Sequence, residues 1–196
     1  MIPAALILIA SVTVFRLLGT DATTLANFSP LTAIILCAAI YLPLRVGALL
    51  AFGSLLLSDS ILTYHYTRSE DYPLSQALLS TAPHYVVYLA VFALGCALRQ
   101  QRTKPVPVFS AALGSSLLFY IVANAYAWIS TPAYAKTLSG FIQAQTTGLP
   151  GFPPTWMFLR NSLASDLFFT ALFFCIALIT LKAPKTLTAE STPTQA

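Results

Sequence analysis

The sequence predicts an all-α integral membrane protein with six transmembrane helices, and three observations predict it. Hydrophobic residues make up 57% of the 196-residue chain and charged residues only 8%, against roughly 25% charged in soluble domains. Mean hydropathy is +0.77. The apolar residues fall into successive runs near the length of about 20 residues that a bilayer crossing needs, with short polar connections between them. This balance excludes a soluble enzyme, a disordered chain and a disulfide-stapled secreted module. Six spans leave no room for a second domain, so residues 1–183 read as a single transmembrane domain. Residues 184–196, polar and Thr-rich, read as a disordered cytoplasmic tail.

Segment one, Ile2–Leu18, reads as a retained helix, because the first fifteen residues of the chain hold no Lys or Arg to form the basic region a signal peptide would need. Segment two is short, from about Pro30 to Leu42, extendable through Leu44. Segment three is Val46–Tyr64, segment four Ala82–Leu98, segment five Val108–Ile129 and segment six Leu159–Leu181. Pro30, Pro83 and Pro107 fall where a first helical turn tolerates a missing N–H. Only a few residues around Pro43–Arg45 join segments two and three, which makes them antiparallel neighbours. Cys37, Cys96 and Cys175 each lie inside an apolar run without a CxxC spacing and read as small buried hydrophobes.

Charge assigns the sides. With the N-terminus inside, the inner connections hold Arg45, Arg99, Arg102, Lys104, Lys182 and Lys185 against Glu190 alone. The outer connections and outer helix ends hold Arg16, Arg68, Lys136 and Arg160 against Asp21, Asp59, Glu70, Asp71 and Asp166. Lys and Arg stay on the cytoplasmic side, so both termini are expected there. The same pattern explains the net charge of +4 without a nucleic-acid partner. The outer connections, Gly19–Ser29, His65–Thr81 and Ser130–Phe158, are the longer ones. The last, with Gly148, Pro150, Gly151, Pro153 and Pro154, reads as a structured cap.

Ionisable residues inside spans are costly and mark function or pairing. By helix direction Arg16, Asp59, His84, Asn124, Arg160, Asn161 and Asp166 all fall in the outer half of the bundle. An outward-facing pocket of half depth accounts for them together, with Arg16 paired to Asp59 or Asp166 and neutralising its charge. Tyr85 and Trp156 adjoin His84 and Arg160 and join the candidate site. Other aromatics, Tyr66, Tyr88 and Phe119 among them, read as an interfacial belt. No GxSxG, HExxH, Walker or GxGxxG motif is present, so the expectation is a protein that is not an enzyme and has no intrinsic cofactor.

The runs Asn27-Phe28-Ser29-Pro30-Leu31, Leu55-Leu56-Leu57-Ser58-Asp59 and Arg160-Asn161-Ser162-Leu163-Ala164-Ser165-Asp166-Leu167 resemble the substrate-binding S components of energy-coupling factor (ECF) vitamin transporters. Within that group the chain is most similar to the solitary cobalamin (vitamin B12) S components. The resemblance implies a six-helix S-component-like bundle, a vitamin site near the outer face and closure by the loops after helices one, three and five. It adds Asn27 to the site. Relatives of that kind carry a cobalt-ligating cysteine near the third outer loop. Here the stretch Ala77–Tyr85 holds no cysteine, leaving His84 as the available donor to cobalt in bound cobalamin. An Ala-x-x-x-Ala docking face is missing from the first helix, which suits a solitary transporter better than one docked on a shared ECF module. The expected function is vitamin uptake, cobalamin first, with Arg16, Asn27, Asp59, His84, Tyr85, Asn124, Trp156, Arg160, Asn161 and Asp166 as substrate-binding residues. The expected partners are the vitamin and membrane lipid. The alternatives are an S component for another vitamin, a non-transporting accessory or assembly subunit, and a membrane enzyme using His84 and Asp59.

Overall fold

The computed structural model describes residues 11–16, 25–69 and 73–182. All regular structure among them is helical: α1 (residues 11–16), α2 (Leu31–Tyr41), α3 (Leu44–Ser69), α4 (Leu74–Ala97), α5 (Pro105–Ser130), α6 (Leu138–Gln145) and α7 (Thr155–Lys182), with a 3₁₀ turn at Arg99–Gln101. Four stretches, Leu44–Arg68, Ala77–Ala97, Pro105–Ser130 and Thr155–Thr180, are long and apolar enough to cross a membrane. They match expected segments three to six and make this a multi-pass membrane protein. Their outward faces carry large apolar side chains such as Leu49, Val86, Ile121, Phe168 and Ile179, which suit lipid and not water. Most of segment one and the whole tail 184–196 lie outside the described residues.

Segment two is the odd member. α2 has 11 residues, about 16 Å of helix, or about half of a hydrocarbon core. It has no polar face: every residue from Leu31 to Ile40 is buried. A helix apolar all round needs protein on every side, and α2 packs against α3, α4, α5 and α7. Glycines admit it. A Cβ on Gly47 would lie 2.6 Å from the Ala38 carbonyl oxygen, and one on Gly95 would lie 2.6 Å from Ala39 Cβ and 2.7 Å from the Leu36 oxygen. The core of Leu31, Ile35, Leu36, Ile40, Leu55, Val91 and Val108 forms around this axis.

The last carbonyls of a helix need outside donors, and Arg99 supplies them to α2. Its Nε donates to the Ala39 oxygen at 2.8 Å and its Nη2 to the Leu42 oxygen at 2.7 Å. The cation also faces the negative end of the helix dipole. Arg99→Ala is expected to lower stability by about 2–3 kcal/mol, the range for two charge-assisted hydrogen bonds with partial solvent compensation. Thermal unfolding in detergent, with Arg45→Ala as control, measures it. Equal midpoints for the two variants would show that Arg99 does not cap α2.

The four long helices depart from the sequence expectation in one way: each is longer than its expected segment. Most of the outer loop expected at His65–Thr81 is helix instead, because α3 continues to Ser69 and α4 already starts at Leu74. Hydroxyl residues that resemble loop composition bond back to their own helix instead. Thr67 Oγ1 donates to the Thr63 oxygen, Ser80 Oγ to the Ala77 oxygen and Thr81 Oγ1 to the Leu78 oxygen, each at 2.8 Å. Pro83 consequently lies inside α4 and not at its start, which places His84 mid-helix. In α5 it is Pro105, ahead of Pro107, that takes the first position. Cys37 is buried as expected, but Cys96 is half-buried and Cys175 exposed, an apolar thiol being as acceptable toward lipid as in a core.

Candidate functional site

Because α2 stops halfway, its N-terminal end leaves space that the longer helices surround. A cavity of about 520 Å³ occupies that space. The chain entering α2 forms one side of it. Phe28 N–H donates to the Leu25 oxygen at 2.8 Å, and Leu31 N–H donates to Ser29 Oγ at 3.3 Å. Asn27 adopts φ 63°, a left-handed conformation that asparagine tolerates better than most residues. Asn161 Nδ2 donates to the Ala26 oxygen at 2.9 Å and ties this turn to α7. Phe28 packs edge-on to Phe169, with centroids 6.2 Å apart, and Phe15 joins both at 5.8 and 5.6 Å.

Three charged side chains line the cavity. Arg16 Nη2 lies 2.6 Å from Asp59 Oδ1, and its Nη1 donates to Ser58 Oγ at 2.8 Å. Asp59 is thus the partner of Arg16, of the two carboxylates anticipated. Asp166 is 2% exposed. Its Oδ2 accepts a 2.6 Å hydrogen bond from Ser116 Oγ. The carboxylate also stands near the Thr32 hydroxyl and the Ala33 amide at the first turn of α2, where the helix dipole favours a negative charge. Its Oδ1, buried, makes no hydrogen bond of good geometry. Opposite, the rings of His84 and Tyr88 each stack on Phe119, at 5.2 and 5.4 Å between centroids and 28° and 27° between planes.

Of the anticipated residues, Arg16, Asn27, Asp59, His84 and Asp166 share this cavity, and Asn161 holds its edge. Tyr85, Asn124, Trp156 and Arg160 do not line it. Helical phase is the reason: at 100° per residue, Arg160 lies about 120° around α7 from Asp166, and Asn124 about 140° around α5 from Phe119. Tyr85 stands beside Asp59 outside the lining. Asn124 Nδ2 donates to the Tyr120 oxygen of its own helix at 2.9 Å. Trp156 is half exposed beneath the Arg160 guanidinium, 5.7 Å from its ring centroid, and Arg160 donates to Asn161 Oδ1. Depth was readable from the sequence for all of these, but direction was not.

The lining also includes residues that the sequence reading left in the aromatic belt, namely Tyr66, Tyr88 and Phe119, and others it did not single out, such as Phe15, Thr32, Thr63 and Ser162. The signal was present as spacing. Ala77, Ser80, Thr81, His84 and Tyr88 recur at three and four residues on α4, as do Asp59, Leu62, Thr63 and Tyr66 on α3, each marking one helical face.

The long connection after α5 is ordered, as expected, but it contributes no residue to the cavity. Thr137 Oγ1 accepts from Gly140 N–H at 3.3 Å and caps α6. Lys136 Nζ donates to the Thr131 oxygen at 2.8 Å and to the Trp128 oxygen, covering the end of α5. Tyr120 Oη donates to the Gln145 oxygen, and Thr155 Oγ1 to the Thr146 oxygen at 2.7 Å. Tyr134, 6% exposed in this connection, has its phenol pushed above the usual pKa by burial. Among the described residues no group of three His, Cys, Asp or Glu is placed to hold a metal ion.

Fold and cavity together define a multi-pass helical membrane protein with a charged internal chamber in one half of its bundle. Residues 1–187 match the model of a family of unknown function, DUF6580, and the chain belongs to that family. No curated protein and no solved structure matches it.

Proposed function

We propose that this protein takes up a vitamin-sized solute across the bacterial inner membrane, as an S-component-like substrate-binding transporter with six spans and both termini cytoplasmic. The observation that carries the reading is the 520 Å³ cavity over the end of a half-length helix. Its size falls within the range of roughly 300–1,000 Å³ typical of small-molecule sites. Orientation follows from charge. Arg99 and Arg102 sit at the C-terminal end of α2, where Arg99 caps that helix and Tyr41 Oη donates to the Arg102 oxygen. The cavity lies at the other end of α2, so the positive-inside rule turns it outward.

Cobalamin is the first ligand to test, with the His84 imidazole as the donor facing cobalt. A corrinoid is bulkier than a drug-sized solute, and binding it requires the 25–29 segment to move aside. The experiment is calorimetric titration of purified protein with cobalamin, riboflavin, thiamin and biotin, together with growth rescue of a host lacking its own B12 importer. Binding of one solute, weakened at least about tenfold in Asp59→Asn and His84→Ala, is the expected result. Failure to bind any of the four, together with no rescue of growth, would sink the reading as a vitamin importer of this set.

A second reading, an accessory subunit that binds a partner through its outer cap, draws on Leu138, Ile142 and Phe152, which are 74%, 52% and 71% exposed there. It expects loss of function from charged substitutions at these three positions and indifference to Asp59→Asn.

A further inference from the structure

Resting on that uptake reading, we infer that the cavity selects a solute carrying one positive charge on or beside a flat aromatic system. The argument begins with a charge count. Arg16 is committed to Asp59 and Ser58, so the pair is neutral as a unit. Asp166 remains, 2% exposed and lining the cavity, with only neutral donors around it (Ser116, Thr32 and the Ala33 amide), and no Lys or Arg among the described residues lies within salt-bridge distance of it. A carboxylate so placed is costly without a counter-charge, and the helix dipole at α2 supplies only part of one.

Among the described residues no other Lys or Arg at this end is free to supply the rest. Arg68 lies over the Tyr64 ring at 5.7 Å, Arg160 is engaged with Trp156 and Asn161, and Lys136 covers the end of α5. Residues 17–24 and 70–72 contain no Lys or Arg.

The walls supply the second half of the recognition. The stacked rings of His84, Phe119 and Tyr88 stand on one side, and Phe15 and Phe28 on another. Aromatic faces attract cations and stack on flat ring systems. A carboxylate with aromatic surfaces around it therefore fits a protonated or quaternised heteroaromatic solute, and disfavours an anion of the same shape.

Three probes of one shape and different charge test this: 1-methylnicotinamide (cation), nicotinamide (neutral) and nicotinate (anion), with thiamin and riboflavin as a larger cation and a larger neutral ring. Each is titrated calorimetrically into the full-length protein in detergent. The cations are expected to bind at least about tenfold tighter than their neutral counterparts, and nicotinate not at all. Asp166→Asn, nearly isosteric, and Phe119→Leu, which keeps a side chain of similar bulk, are expected to reduce that preference to less than about threefold while eluting as the same monodisperse species. Neutral or anionic probes binding as tightly as the cations would overturn the charge inference and leave the solute-binding reading standing. A preference that survives Asp166→Asn would overturn the role of Asp166. Silence from all five probes, with cobalamin and biotin also failing, would overturn both readings.

Discussion

Gly95→Leu is expected to destabilise the protein by about 3 kcal/mol, the upper end of what overpacking costs. The new Cβ alone would stand 2.6 Å from Ala39 Cβ and 2.7 Å from a backbone oxygen, that of Leu36. Backbone cannot rotate out of the way as a side chain can, so α2 and α4 have to separate. Gly53→Leu is the matched control, because nothing lies within 4 Å of a Cβ built there. Thermal unfolding followed by the retained monodisperse fraction in detergent compares the two. Indistinguishable melting of both variants would refute the close α2–α4 contact, and with it the central place of α2.

A large effect is also expected at the ion pair. Asp59→Ala leaves Arg16 charged in a largely apolar surround, and removing one partner of a buried pair costs about 3–5 kcal/mol. The Arg16 side chain retains 21% exposure, which lets water recover part of the loss, so the expected cost is about 2 kcal/mol. The double replacement Arg16→Met with Asp59→Leu removes both charges and is expected to melt within about 1 kcal/mol of the parent. A double-mutant cycle on melting gives the coupling. Additive single effects would show that the two side chains do not pair, whatever their role toward a solute.

How much of this was legible before the structure divides along a physical line. The four long spans were readable because a bilayer crossing is a matter of length and apolarity, and both are linear properties of the chain. Counting residues along those spans put Arg16, Asp59, His84 and Asp166 in the same half of the bundle, and the four line one cavity. Azimuth was harder. Whether Arg160 or Ser162 turns inward depends on how α7 is rotated against its neighbours, and side chains a few residues apart can face opposite ways. Here Ser162 lines the cavity and Arg160 rests on Trp156. Helix ends were misjudged at α3 and α4 because Ser, Thr and Pro look like loop residues in a linear string. Within a helix, hydroxyls such as that of Ser80 are satisfied by their own backbone. The shortness of segment two was noticed, but its meaning lay in three dimensions: a short apolar run surrounded by long ones creates a void above itself.

In the proposed orientation that void would alter the electrical geometry of the membrane around the protein. With aqueous solution reaching the N-terminal end of α2 in the proposed orientation, the insulating layer at that spot thins to about 16 Å, the length of the helix. The full membrane voltage then falls across roughly half the usual distance, and the local field is about doubled. A charge crossing the bilayer exchanges about 2.3 kcal/mol with each 100 mV, and here most of that exchange is confined to the stretch beside α2. Under the proposed function, a cation seated by Asp166 would stand at the brink of the potential drop while feeling little of it, and a negative-inside voltage would drive only the remaining step.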